Sequence, residues 1–453
     1  VQVAQADAAA DAVCPVHAAP LGEKLQGDRE IELLNYISAG EDRNRTEDSR
    51  TAAGDFGFDH PEERDMFRTG MTRAALAAGL VAAAATGAAA QETIKIGMVV
   101  PLTGALAGAG QQVAAGARFY MKQHGDTVAG RKIELIVKDD GTVPDVGRRL
   151  TQELIVNDKI DIIAGGLTAD LMASAPLITE AKKPTVIMLA STTSLIEKSP
   201  FFVRTSCTMA QSSAMMAEWA IKNGMTKVVT LVSDFAPGVE AETLFRTRYQ
   251  AAGGQVAEVI RVPLQSPDFA PALQRARDAA PQAIFLFVPS VQAGTLARQF
   301  VERGMNKSGI KLIGPGDITD DDLLPKIGDA MLGTITAHFY SAAHPSAMNQ
   351  AFVAAFHKSE GTRPNFMVVS GYDGMHLIYA ALRKTNGAAG SEALMTAMKG
   401  MAWESPRGPM SIDPASGEVV HNVYIRSVDK VNGQLANVEF STFEAVGPKL
   451  VAR

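Results

Sequence analysis

From Thr93 onward the chain alternates short apolar runs with amphipathic ones, and this alternation constrains the fold more than any other feature. TIKIGMVV (93–100) reads as a strand. It breaks into PLTGALAGAGQQ, followed by a helical pattern in QQVAAGARFYMKQH. RKIELIVKDDG (131–141) alternates with period two, VGRRLTQELIVND has helical spacing, and KIDIIAGG (159–166) reads as a strand. ADLMASAPLITEAKK is helical and PTVIMLAS (184–191) a strand. Strands that are apolar on both faces, separated by helices, predict a mostly parallel sheet covered by helices on either side.

The pattern then restarts. SSAMMAEWAIKNG is helical and TKVVTLVSD (226–234) a strand; VEAETLFRTRYQAAGG is a helix closed by glycine, which helix ends favour. QVAEVIRVPL, QAIFLFVP (282–289) and IKLIGPG (310–316) are further strands, separated by the helices DFAPALQRARDAAP and VQAGTLARQFVERGM. Two long helices come next, SAMNQAFVAAFHKSEG and one around YDGMHLIYAALRKTNG. A terminal ribbon is last, with DPASGE as its turn. The expectation is α/β: two doubly wound halves of about four strands each, then helices and a ribbon. The alternation alone does not choose among doubly wound folds.

Ahead of Thr93 lies AALAAGLVAAAATGAAA (74–90), uncharged, entered through Arg73 and ending in three alanines before Gln91. A basic entry, a short apolar run and an A-x-A-like site mark a secretion signal. The run is shorter and more alanine-rich than a stable membrane span requires. Residues 20–70 are dominated by charge, Gly, Ser and Thr, and the chain begins with valine. Residues 1–65, taken together, read as a non-native or disordered extension upstream of a start at Met66 or Met71, with 66–90 as the signal.

The stretch from Gln91 to Arg453 is long enough for two domains. The chain carries a formal net charge of −6 and no Arg/Lys run interleaved with aromatics, so no nucleic-acid partner is expected. Of the two cysteines, Cys14 falls in the extension and Cys207 stands alone, which excludes a disulfide scaffold.

No catalytic constellation emerges. PLTGALAGAG (101–110) is neither a G-x-G-x-x-G fingerprint nor a phosphate loop. It reads as a turn, or as a loop in which Thr103 and backbone amides meet a small anion at the next helix start. There is no G-x-S-x-G and no H-E-x-x-H, and no two histidines after Thr93 stand at i,i+4. Cys207 in RTSCTM reads as a small hydrophobe, and ITDDD (318–322) as a helix cap facing solvent. No enzyme activity, cofactor or metal is expected. Polar and glycine residues gather instead just after strands: GGLTAD (165–170), LASTTS (189–194), DFAPG (234–238), VPSVQ (288–292) and GPGD (314–317). Ligands of open α/β sheets sit at those ends, and two facing domains make a cleft.

Taken together, these segments resemble the branched-chain amino acid (Leu/Ile/Val) type of periplasmic solute-binding protein that serves ABC transporters. The resemblance runs from about 93 to 445. It is carried by IKIGMVVPLTGALAGAGQQVAAGARFYM, KIELIVKDDGTVPDVGRRLTQELI, IIAGGLTADLMASAPLITEAKKPTVIMLAST, SPDFAPALQRARDAAPQAIFLFV and LARQFVERGMNKSGIKLIGPG. It implies the type I periplasmic binding fold, two α/β lobes joined by three crossovers near 209, 339 and 415. Lobe 1 would take 91–209 and 339–415, lobe 2 the stretches 210–338 and 416–453. It further implies a periplasmic monomer that closes on a small-molecule ligand and docks on an inner-membrane ABC permease. A ligand-sensing protein of the same fold (an amide or acid sensor) and a secreted hydrolase are the alternatives.

In the family, the ligand carboxylate is held by loops matching 167–170 and 191–193, which implies roles for Leu167, Thr168, Ala169, Ser191 and Thr193. Lobe 2 usually adds an aromatic at the position of Pro237 and an acid for the ligand ammonium near Gly316. This chain departs at both: Phe235 is the nearest ring, and Asp317 or Asp170 the nearest acid. Ser290 completes the strand-end set. An uncompensated ammonium in a closed cleft is costly, so the ligand is an amino acid rescued by Asp317 or Asp170, or else a small carboxylate, an aromatic acid or an amide. Phe339 and Tyr340 provide an apolar wall or ordinary hinge packing. N-terminal sequencing of the exported protein is expected to begin at or near Gln91; a start near Val1 overturns the reading of 1–90.

Overall fold

The computed structural model describes residues 93–266 and 268–448. The extension, the secretion signal and the start at Gln91 lie outside the described residues.

The first sheet is built from β1 (Ile94–Val100), β2 (Thr127–Val128), β3 (Arg131–Asp139), β4 (Ile162–Gly165), β5 (Thr185–Ile187) and β6 (Phe202–Arg204). Its order is β2-β3-β1-β4-β5-β6, parallel except for the β2–β3 hairpin. Helices α1 (Ala107–His124), α2 (Pro144–Val156) and α3 (Thr168–Glu180) connect its strands. β1 is buried along almost its whole length, as a strand covered on both faces must be. β6, in FFVRTS, follows the turn at Ser199-Pro200 and is only three residues long, too short for the alternation to anticipate.

After β6 the chain crosses through α4 (Met209–Lys222) into a second sheet: β7 (Lys227–Ser233), β8 (Gln255–Val262), β9 (Ala283–Phe287), β10 (Lys311–Pro315) and β11 (Ile335–His338). These five are parallel, with α5 (Ala236–Ala251), α6 (Ala270–Asp278) and α7 (Ser290–Glu302) between them. A single turn, α8 (Leu324–Ile327), precedes β11. The chain then returns through α9 (Ala347–Glu360) to α10 (Phe366–Lys384) and α11 (Ser391–Met398), which cover the first sheet. It crosses a third time into β12 (Ala402–Ser405), β13 (Gly408–Ile412), β14 (Val419–Val431) and β15 (Gln434–Val446), added antiparallel to β11. The result is two α/β lobes traversed three times. The ribbon expected around DPASGE is the β13–β14 pair. β12 and β13 hydrogen-bond into the second sheet, although the sequence reading groups them with the first lobe. Trp403 and Ile412 nevertheless pack on the first lobe's core.

The returning segment is held to the first lobe by close helix contact. A Cβ on Gly116 of α1 would lie 1.9 Å from the Val368 carbonyl oxygen, and one on Gly371 of α10 would lie 2.1 Å from that of Val113. Only glycine at both positions lets the two helix backbones approach this closely.

Charge is buried where the crossovers meet. Arg407, in the β12–β13 turn, is fully buried; it pairs with Asp373 of α10 at 2.9 Å and donates to the Thr205 carbonyl at 2.6 Å. Its guanidinium lies 4.6 Å from the centre of the Phe339 ring and 3.4 Å from His421 Nδ1. Burial raises the Asp373 pKa and lowers that of Arg407. The pair stays charged because each supplies the other's compensation, with Ser405 also donating to Asp373 at 3.0 Å. The acids of ITDDD are also interior, contrary to the solvent-facing cap expected: Asp320 and Asp321 are 4% and 2% exposed. Asn365 and Asn437 donate to them at 3.0 Å each, and Asp322 accepts from Gln112 of α1 at 2.8 Å.

Asp170, near the start of α3, faces Asp140 beneath α2, close enough that a Cβ on Gly147 would lie 2.5 Å from its carboxyl carbon. Burial and the neighbouring Asp140 push Asp170 up to about 8. A folded pKa raised above the unfolded one contributes stability that is full below about 4 and is lost as pH rises towards 8. Asp170→Asn is therefore expected to be more stable than the wild type at pH 8, by roughly 1–3 kcal/mol, with the difference shrinking by pH 5. Thermal unfolding across that range checks it. Arg407→Met, which strands Asp373, is expected to cost about 3–5 kcal/mol in denaturant unfolding.

Candidate functional site

Both sheets deliver their loops to the same place, the carboxyl ends of parallel strands, where a cleft between lobes forms. On the first lobe, β4 ends at Gly165 and the chain enters α3 through Leu167, the residue capping its start. β5 runs into the 188–192 loop and then a 3₁₀ turn, Thr193–Lys198. The Thr168 hydroxyl donates to Thr192 Oγ1 at 3.2 Å, joining the two loops that the sequence singles out. Leu167, Thr168, Ser191 and Thr193 are half-buried and Ala169 is exposed. The Ser191 carbonyl accepts from the Met209 amide at 2.9 Å.

The shape of the second loop is set from below by Arg204, fully buried at the end of β6. Its guanidinium donates to the carbonyls of Ala190 and Thr192, the latter at 2.8 Å, and pairs with Glu418 at 2.8 Å. Ser206 adds a bond to the Ala190 carbonyl at 2.7 Å. These bonds to its carbonyls hold the 188–192 loop in place from the inner side. Thr193 has a buried hydroxyl with no partner among the described residues. Its amide donates at 2.9 Å to Glu240 of α5, which reaches across from the second lobe.

On that second lobe Phe235 precedes α5 and stacks on Phe287, with ring centres 5.8 Å apart. Pro237 lies in the first turn of α5, and Ser290 is the first residue of α7; all three are half-buried. Gly316 is buried after β10, where a Cβ would lie 2.4 Å from both the Arg426 guanidinium and the His338 ring. Asp317 is enclosed by protein yet partly reachable by water, and burial pushes it up to about 6. Its Oδ2 has no partner among the described residues.

Two candidates are directed elsewhere. The Thr103 hydroxyl donates to Asp139 Oδ2 at 2.7 Å and, with the Gly141 amide, holds Asp139 at about 2; it ties the β1 and β3 loops together. Asp170 is buried beside Asp140, beneath α2. Phe339 and Tyr340 are fully packed in the core, and Cys207 is a buried thiol raised to about 12, neutral at physiological pH. Among the described residues no group of three or more His, Cys, Asp or Glu could hold a metal. A groove of about 630 Å³ between α9 and the β14–β15 hairpin, lined by residues such as Val353, His357 and Arg363, contains none of the candidate residues. Sequence reasoning missed Arg204, Arg426 and Glu240. The first two carried a signal, an isolated arginine amid strand residues in FFVRTS and VYIRSV; Glu240, in the first turns of a helix, carried none.

Known proteins share this fold. The "Periplasmic binding protein" family profile matches residues 93–434. A Leu/Ile/Val-binding protein homolog 6 from Brucella suis biovar 1 is 39% identical over 384 residues, covering 83% of this chain and 98% of its own. A solute-binding protein of an ABC transporter from Rhodopseudomonas palustris BisB5, solved with 3,4-dihydroxybenzoic acid, is 57% identical with a TM-score of 0.77, covering 79% of this chain and 99% of its own. One from R. palustris HaA2, solved with p-hydroxybenzoic acid, is 39% identical with a TM-score of 0.75, covering 78% and 97%. With its lobes, crossovers and cleft in common with these relatives, the chain belongs to the periplasmic binding protein family and is a non-catalytic, solute-binding component of an ABC importer.

Proposed function

We propose that the ligand is an aromatic carboxylic acid of the hydroxybenzoate class, delivered to a membrane permease by the closed, monomeric protein. The observation that carries this reading is the 57% identity to a protein that holds 3,4-dihydroxybenzoic acid. The residues of the cleft support it. Leu102, Leu106, Leu167, Phe235, Pro237 and Pro289 are half-buried apolar groups around the strand ends, suited to the faces of a ring. Thr168, Thr193 and the amides opening α3 suit a carboxylate, which needs donors rather than a paired cation. Asp170 is buried beside Asp140 and raised to about 8, so the first lobe offers an amino-acid ammonium no exposed, charged carboxylate among the candidate residues. Binding would favour the closed arrangement because only there do both lobes touch the ligand.

Thermal shift and calorimetry with 4-hydroxybenzoate, 3,4-dihydroxybenzoate, benzoate and leucine test the reading. Aromatic acids are expected to raise the melting temperature in proportion to ln(1 + [L]/Kd), and leucine to leave it unchanged. Stabilisation by leucine alone overturns the proposal. Replacing Thr168 and Thr193 by alanine is expected to weaken binding by about tenfold or more per hydroxyl, with ligand-free unfolding unaltered; unchanged affinity in the double variant removes these hydroxyls from the site.

A further inference from the structure

Asp317 sits on the short turn that leaves β10, and its position is fixed by what surrounds Gly316. Arg426 and His338 press on that glycine, so the turn cannot move towards them. Protein encloses the Asp317 carboxyl, while water still reaches part of the residue. Its own amide serves one side of the carboxyl, and Oδ2 is buried with no donor among the described residues. Arg426 is already engaged: it donates to Thr336 Oγ1 at 3.0 and 3.2 Å, to Thr319 Oγ1 at 3.3 Å and to the Tyr340 carbonyl. Its charge also acts on Asp321, Glu439, Asp320 and, most weakly of the four, Asp317, to which it makes no hydrogen bond. His338 is held neutral by burial and Arg426, and its ring bonds to the Tyr340 backbone rather than to Asp317. A buried acceptor left without a donor is costly, and native proteins rarely leave one without a use.

We propose that the Asp317 carboxylate accepts the hydrogen bond of a ring hydroxyl and so selects hydroxylated aromatic acids over benzoate. The inference rests on the aromatic-acid reading above and adds the group that sets preference within that class. The first lobe takes the ligand carboxylate and the second lobe takes the hydroxyl, so a hydroxylated ligand is anchored at both ends of an apolar slot. A hydroxyl donating to a carboxylate makes a short, charge-assisted bond. A ligand without the hydroxyl leaves Oδ2 unpaired in a closed cleft. Sites built around such a buried polar group reject the lacking analogue far more strongly than a pocket rejects a missing methylene.

The test is calorimetry on wild type, Asp317→Ala and Asp317→Asn with 4-hydroxybenzoate, 3,4-dihydroxybenzoate, benzoate and leucine. The wild type is expected to bind at least one hydroxylated acid about tenfold or more tighter than benzoate. In Asp317→Ala that ratio falls to within about threefold, and Asp317→Asn, whose amide carbonyl still accepts, keeps part of it. Ligand-free thermal unfolding verifies that both variants fold, and Asp317→Asn carries the test if the alanine variant does not. No hydroxyl preference in the wild type, or one unchanged in the variants, overturns the role of Asp317 and leaves the aromatic reading standing. Tight leucine binding without response to any aromatic acid overturns the aromatic reading itself, and this inference with it.

Discussion

One buried guanidinium touches every passage between the lobes. Arg407 belongs to the third crossing, donates to Thr205 in the first, lies over Phe339 in the second and pairs with Asp373 of the helix that the second delivers. A charge removed from water persists only if its neighbours answer it, so these segments must keep their places relative to one another. The close contact of α1 with α10 through Gly116 and Gly371 fixes the returning helix from the other side. Between them, two lobes built from distant stretches of sequence share one rigid joint, about which opening and closing can occur.

The cleft divides its labour by chemistry. On the first lobe, Arg204 engages the carbonyls of Ala190 and Thr192 from beneath, which holds the loop carrying the Thr192 and Thr193 hydroxyls. On the second lobe the strand ends carry the half-buried Phe235, Pro237 and Pro289, and Asp317 follows β10. Glu240 crosses the gap to the Thr193 amide, a contact that exists only while the lobes are together. Closure is thus tied to the same loop that would hold a ligand's anionic end.

Much of this was legible in the residues. β1, β7 and β9 are apolar on both faces and could only be interior parallel strands. The strand-end loops followed from that, because the carboxyl end of a parallel strand is where side chains are free of the sheet. Thr168 and Thr193 were legible as loop hydroxyls, and Asp317 as the nearest acid to a position where the family carries one. The buried destination of ITDDD was not. Three adjacent acids read as a solvated cap, and only the amides of Asn365, Asn437 and Gln112, from 45 to 210 residues away, make an interior place tolerable for them. Asp170 likewise read as a loop acid at the cleft, whereas it is buried under α2 against Gly147.

By itself the sequence determined the α/β class, the two lobes, the family and the loops from which a site is built. Periodicity and strand-end chemistry are local properties, written in runs of adjacent residues. Tertiary structure decided which of those residues remain free to bind. Thr103 is spent on Asp139 and Asp170 is buried beside Asp140, while the Thr193 hydroxyl and Asp317 Oδ2 are left without partners among the described residues. Whether a polar atom is satisfied depends on groups that chain topology brings from far away, and no window of sequence contains them.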